Sequence, residues 1–223
     1  MGKDKLFWKR KIRKAESLRR DVEKRDSYDV VLIVCEGSKT EPRYLRSLIK
    51  DFGLTNANIE VTDAHLGTDS LSVVKSAIHR YKRSPIYDKV YCVFDRDSHA
   101  TFDQALQFIA TSPLGNDAEL GACVSVPCFE FWILLHYEYT TRQFVKAGTK
   151  SKCDGVVDRI TKTGFGAYKK GMDNVYEKTK HLLNDAVKNA KLVRKFHDND
   201  HEHPSTQICE LVGYLQKLKK KKI

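Results

Sequence analysis

Long apolar runs are missing from this chain. Nowhere do about 18 apolar residues follow one another, the length a membrane-crossing helix needs, so no membrane span is expected. The opening residues Met1 to Lys14 are basic and lack the apolar stretch of a secretory signal, which points to a cytoplasmic protein. Cys-x-x-Cys spacing is missing too. The six cysteines are scattered at positions 35, 92, 123, 128, 153 and 209, and Cys35 and Cys92 fall inside apolar runs where a thiol acts as a small hydrophobe. A reduced protein without disulfides is therefore expected. No glycine-rich P-loop is present, so the chain should not hydrolyse ATP itself. No cysteine stands near His197, His201 and His203, and the acids between them fit a solvated loop better than a zinc site. There is no internal repeat, and the only low-complexity segment is a lysine tail.

Acids are scarce relative to bases. Lys and Arg number 40 against 29 Asp and Glu, a formal charge of +11. That excess is concentrated at the ends, in residues 1–25 and in Lys217, Lys219, Lys220, Lys221 and Lys222, leaving the body close to neutral. A basic tail is either simply solvated or a clamp on a phosphate backbone, with Arg10 and Lys11 among its contacts. Charge alone does not separate nucleic acid from an acidic protein partner.

What is present is a pair of short apolar runs that end abruptly in acids: Val30 to Val34 leading through Cys35 to Glu36, and Tyr91 to Phe94 leading to Asp95, Arg96 and Asp97. Such runs are typical of strands buried on both faces of a parallel sheet. In open α/β sheets the chemistry sits just past the carboxyl ends of the strands.

The rest of the chain supports that architecture. Strands are expected at 29–35, around Ile59 to Val61, at 90–94 and at 122–126. Helices are expected from about 40 to 52, from the Gly67-Thr68-Asp69-Ser70 turn to near Arg83, and over 101–111. Ser38 or Thr40 would cap the first of these, with Pro42 in its first turn. After Pro127 the pattern becomes helical, beginning with Phe129 to Tyr139, in which Phe131 and Trp132 read as core. A last helix is expected after His203-Pro204, capped by Ser205 or Thr206. The fold class read from this is α/β: a parallel sheet of about four strands flanked by helices, followed by a mostly helical C-terminal region. Three parts follow: a basic helical extension at 1–27, the α/β core at 28–140, and a helical region with a lysine-rich tail at 141–223.

The carboxylates carry the chemistry. Asp-x-Asp alone is a common acidic turn. In an extended segment, however, residues two apart project the same way, so Asp95 and Asp97 can address one ion. Glu36, at a neighbouring strand end, adds a group able to orient a water or exchange a proton with a leaving oxygen. A hard cation such as Mg²⁺ takes such oxygen ligands, and Mn²⁺ suits the same set. Without a cation the clustered carboxylates would repel, raising the pKa of one of them. Glu130 shares a helical stripe with Ile133, Leu134 and Tyr137. It is either a further ligand or base, or a structural acid held by hydrogen bonds. His136 lies off that stripe and reads as a satisfied or exposed histidine. Tyr168, Lys169 and Lys170 follow a glycine-rich turn, where they either touch a phosphate or base or form an exposed basic loop.

Three motifs, Glu36-Gly37-Ser38-Lys39-Thr40-Glu41-Pro42, Val93-Phe94-Asp95-Arg96-Asp97 and Pro127-Cys128-Phe129-Glu130-Phe131-Trp132, together resemble the RloB family. His203-Pro204-Ser205-Thr206 before a helix resembles that family's C-terminal signature, so the resemblance spans most of the chain. It implies a divergent Toprim domain, the fold of topoisomerase–primases, OLD-type nucleases and small recombination nucleases. It further implies Mg²⁺ (or Mn²⁺) at Asp95 and Asp97 with Glu36 as acid/base, an AAA-type ATPase as partner, and a role in restriction-linked or abortive-infection phage defence. Related Toprim effectors cut nucleic acid, including tRNA, once the ATPase releases or activates them. Here Arg96, Ser98 and His99 surround the acidic pair, so a second metal would need Glu130 or Asp103. Lys39 and Glu41 stand where a helix starts, and a helix N-terminus with Lys39 favours a phosphate. Arg96, Lys169 and Lys170 are the other expected nucleic-acid contacts.

The leading expectation is a metal-dependent nuclease effector of an antiphage system. The alternatives are a non-catalytic nucleic-acid-binding or regulatory subunit of an ATPase complex, and another phosphoryl-transfer enzyme, such as a nucleotidyltransferase or primase, built on the same carboxylates.

Overall fold

The computed structural model describes residues 29–54, 59–96, 101–197 and 202–221. The expected N-terminal helix with Arg10 and Lys11, the residue Asp97, the loop around His201, and the side chains of Lys219 to Lys222 lie outside the described residues.

Strand β1 (Val31–Cys35) is buried at every position, and its side chains alternate between two cores. Val31, Ile33 and Cys35 face one side, while Leu32 and Val34 face the other. Two-residue periodicity inside an unbroken apolar run is what a strand covered on both faces requires. Helix α1 (Thr40–Asp51) follows, ending at Gly53, whose positive φ of 66° suits a residue without Cβ. Strand β2 (Ile59–Asp63) and helix α2 (Ser70–Arg83) come next, the latter capped by Asp69, which accepts the N–H groups of Leu71 and Ser72. Then come β3 (Lys89–Asp95), α3 (Phe102–Thr111) and β4 (Glu119–Val126).

The sheet has five strands in the order β2-β1-β3-β4-β5, with β1 to β4 mutually parallel. The fifth strand, β5 (Ser205–Thr206), is antiparallel to β4 and corrects the expectation that these two residues only cap a helix. The buried hydroxyls of Ser125 and Thr206 bond across that pair at 2.9 Å, and a two-residue strand has no periodicity from which to be read.

The C-terminal part supplies α4 (Glu130–Leu134), α5 (Lys152–Ile160), α6 (Val175–Thr179), α7 (Leu183–Phe196) and α8 (Ile208–Lys221). Helix α4 is shorter than the apolar run Phe129 to Tyr139 suggests. Turns carry the chain on from it to Tyr137. Phe131 and Trp132 are fully buried, as expected, in the core formed with α1 on one face of the sheet. Helices α2 and α3 cover the opposite face through Val73, Val74, Ala77, Phe102 and Ala105.

Helices leaving β1 and β3 therefore go to opposite faces. The crevice between those strands, at their carboxyl ends, is the topological switch point where α/β sheets place their ligands. Among the described residues, no helix is long and apolar enough to cross a membrane.

Candidate functional site

Glu36 and Asp95 sit at that crevice, one past the end of β1 and the other ending β3. The ladder continues one step beyond β1, the Glu36 N–H donating to the Val93 carbonyl at 2.9 Å. The Glu36 side chain then turns across the gap, and its Oε2 accepts the Asp95 backbone N–H at 2.8 Å. The two residues singled out in the sequence are thus brought together, while Asp97 lies outside the described residues.

Two further acids complete the cluster. Glu41 and Glu130 line one cavity of about 290 Å³ with Asp95, together with Gly37, Ser38, Lys39, Thr40, Lys170 and Gly171. Glu41 is only 9% exposed and Glu130 only 3%. Burial, then the charges of Glu41, Glu130 and Glu36, hold the Asp95 carboxyl well above the usual carboxylate range, with Lys170 opposing. Glu41 is also raised, by burial first and by Glu130 among its neighbours.

Glu41 was legible only as a helix-start residue. It occupies the first turn of α1, but its side chain folds back over Gly37, where a Cβ would stand 2.4 Å from Glu41 Oε2. The glycine of the Glu-Gly-x-Lys-Thr-Glu motif is therefore the space into which this carboxylate fits. Nor does Ser38 or Thr40 cap α1. The N-cap is Lys39, without a side-chain cap bond, and the Thr40 hydroxyl instead accepts the Gly171 N–H at 2.9 Å.

That bond seats the glycine-rich turn on the start of α1. The Gly171 carbonyl accepts from the Arg43 guanidinium, and Arg43 also pairs with Asp173 at 2.7 Å. The turn is consequently not a simple exposed loop. Tyr168 is buried and donates its hydroxyl to Glu130 Oε1 at 3.1 Å, and Lys170 lies 3.7 Å from Glu130 Oε2. Lys169, between them, is exposed.

The other expected contacts are distributed differently. Lys39 lines the cavity, its stem against Gly171. Arg96 points elsewhere: it pairs with Glu202 at 2.9 Å and lies 4.4 Å over the Phe102 ring. Asp103 is exposed on α3, outside the cavity. His136 is buried and satisfied, between the Tyr44 hydroxyl and the Trp132 carbonyl, each at 3.0 Å. His197 and His203 stack with ring centroids 4.7 Å apart.

The expectation of a chain without disulfides is corrected. Cys128 and Cys153 are joined in a disulfide. Helix α5 packs on α4 and carries Cys153 to Cys128 across 25 residues of sequence, a closeness that linear spacing does not reveal. The other four cysteines are free and buried, as their apolar surroundings suggest.

The donor set of the crevice is oxygen-rich and partly desolvated: Glu41, Asp95 and Glu130 line one cavity with Lys39 and Lys170, and Glu36 is bonded to Asp95 beside it. Burial and the neighbouring charges on Asp95 are what a hard divalent cation relieves, and carboxylates are the donor type that Mg²⁺ or Mn²⁺ takes, but among the described residues no three of these acids bring oxygens within 4.8 Å of one another. A family model for RloB-like proteins matches residues 31–215, which is most of the chain. No curated protein and no solved structure matches it. The chain belongs to the RloB-like family.

Proposed function

We propose that this protein is a Toprim-type nuclease dependent on Mg²⁺ or Mn²⁺, acting as the effector of an antiphage, abortive-infection system under control of an AAA-type ATPase partner. The observation that carries the reading is the Glu36–Asp95 pair at the switch point, within an acidic cluster where burial, and then the neighbouring acids, hold the Asp95 carboxyl above the usual carboxylate range. Family membership supports the defence context.

Asp95, with Glu41 and Glu130 beside it, would hold the cation, and Asp97 is the further ligand that the family resemblance implies. When bound, the cation supplies Lewis-acid polarisation of a phosphate oxygen and neutralises charge on the phosphodiester. Glu36, oriented by the Asp95 N–H, carries the acid–base role: it takes a proton from the attacking water or returns one to the leaving oxygen. Lys39 and Lys170 draw the phosphate into the cavity, and exposed Lys169 extends the contact along the backbone. Arg96 joins them only by giving up its partly exposed pair with Glu202, a change costing at most about 1 kcal/mol.

The test incubates full-length protein with tRNA, plasmid and single-stranded DNA, in Mg²⁺, Mn²⁺ or EDTA, with and without an AAA-type ATPase partner. Cleavage of one substrate that needs the metal and disappears in Asp95→Asn is the expected result. Binding without cleavage under every condition would leave the non-catalytic subunit as the better account.

A further inference from the structure

Cys128, Glu130 and Cys153 form a second constellation, which shares only Glu130 with the acidic cavity. Their two sulfurs and one carboxylate oxygen all lie within 4.8 Å of one another, with Cys128 and Glu130 buried and Cys153 half-buried. The carboxylate is already aimed. Tyr168 holds Oε1 through its hydroxyl at 3.1 Å, which leaves Oε2 turned towards Cys153 Sγ at 3.3 Å. A carboxylate fixed by an outer hydrogen bond and directed at two sulfurs is the arrangement of a pre-oriented metal ligand.

We infer that this constellation is a thiol-dependent site for a soft divalent cation, Zn²⁺ in particular, which the Cys128–Cys153 disulfide closes and a small-thiol reductant opens. Reduction breaks the S–S bond: two molecules of a thiol reductant are oxidised to their own disulfide, and each cysteine sulfur gains one proton. Zn²⁺ then displaces those two protons to solvent and takes two thiolates and Glu130 Oε2. Zn–S bonds of about 2.3 Å and Zn–O bonds of about 2.0–2.2 Å fit ligands so grouped.

Ligand type separates this site from the neighbouring oxygen cluster. Thiolates select zinc over magnesium, whereas Glu36, Glu41 and Asp95 offer only oxygen. The remaining cysteines do not compete, since Cys35, Cys92, Cys123 and Cys209 are buried among apolar neighbours in the two cores. Three protein ligands leave a fourth position of the tetrahedron for water or substrate, as in zinc sites that are not purely structural. Lys170, 3.7 Å from Oε2, has a half-exposed side chain and can withdraw when the cation enters. Glu130 is shared, so zinc removes one carboxylate from the acidic cavity. The inference does not depend on the nuclease reading, because zinc binding is measured without any substrate.

The experiment loads the full-length chain with Zn²⁺ after reduction, and in parallel after oxidation with diamide, followed by dialysis and a colorimetric zinc count. Co²⁺ is then substituted and its absorption recorded. Reduced protein should retain one more zinc per chain than oxidised protein. The Co²⁺ form should show sulfur-to-cobalt charge-transfer bands in the near ultraviolet and intense visible bands of a tetrahedral site. Cys128→Ser and Cys153→Ser should each lose the sulfur bands. Tyr168→Phe, which frees the carboxylate but keeps both thiols, should weaken zinc binding about tenfold to a hundredfold. Reduced wild-type protein that retains no more zinc than oxidised protein, or a Co²⁺ complex without sulfur bands, would overturn the assignment with no variant needed.

Discussion

The carboxylate of Glu36 is tied to the backbone of Asp95, Oε2 accepting that N–H at 2.8 Å across the gap between two parallel strands. One acid is thereby positioned by the residue whose own carboxyl is held well above the usual carboxylate range, by burial first. Local ladder geometry, and not a flexible loop, sets the spacing of the pair.

Removing the charge of Asp95 should stabilise the metal-free protein. Its folded pKa lies above the unfolded value, so its stabilising contribution is present below the ordinary aspartate range and lost as pH rises through the raised folded value. In EDTA near neutral pH, Asp95→Asn should therefore melt above wild type, with the gap narrowing towards acid pH. Cation at about ten times its Kd should add about 1.4 kcal/mol to wild type, or roughly 3–6 °C in Tm, and little to the variant. Thermal melts at two pH values check this. A variant that melts lower at neutral pH and still gains from the metal would contradict it.

Gly37→Ala should move Glu41 rather than break the fold. The new Cβ meets the far end of a flexible carboxylate side chain, and swinging that buried, strained acid into solvent relieves its desolvation. Thermal stability should hold, while Mn²⁺ affinity falls as it does in Glu41→Gln. Titration calorimetry on the two variants is the check, and unchanged affinity in both would remove Glu41 from the site.

His136 should make the fold acid-sensitive. Its Nδ1 faces the Trp132 carbonyl, so that nitrogen carries the proton and Nε2 accepts from the Tyr44 hydroxyl. Burial pushes its pKa down to about 4. The folded value is below the unfolded one, so its contribution is complete above the ordinary histidine range near 6.5 and is lost as pH falls towards 4. Up to roughly 3 kcal/mol is at stake. Urea unfolding at neutral and mildly acid pH should show a shallower pH dependence in the double variant Tyr44→Phe/His136→Leu than in wild type. Parallel slopes would show that His136 is not the sensor.

Much of the scaffold was legible because burial on both faces leaves a plain mark. The runs ending at Cys35 and Asp95 announced β1 and β3, and the acids after them announced the crevice. Asp69 before an amphipathic run announced α2. What escaped depends on contacts distant in sequence. Glu41 reads as a first-turn acid until Gly37 is seen to leave room for it, and Thr40 reads as a cap until Gly171 takes its hydroxyl 131 residues away. Lys170 joins the cavity, and Tyr168 reaches Glu130, through that same seating. Ser205 and Thr206 become a strand only because β4 has a free edge there, and Cys153 meets Cys128 only through helix packing.

Whether these carboxylates hold a divalent cation is tested most directly by a Mn²⁺ soak of crystals of the reduced protein with anomalous diffraction at the manganese edge. A peak is expected within coordination distance of an Asp95 oxygen, with Glu41 or Glu130 completing the set and Glu36 beside it, and no such peak in Asp95→Asn. Ordered carboxylates with no peak at the ends of β1 and β3, under Mn²⁺ that saturates any solution binding, would contradict it.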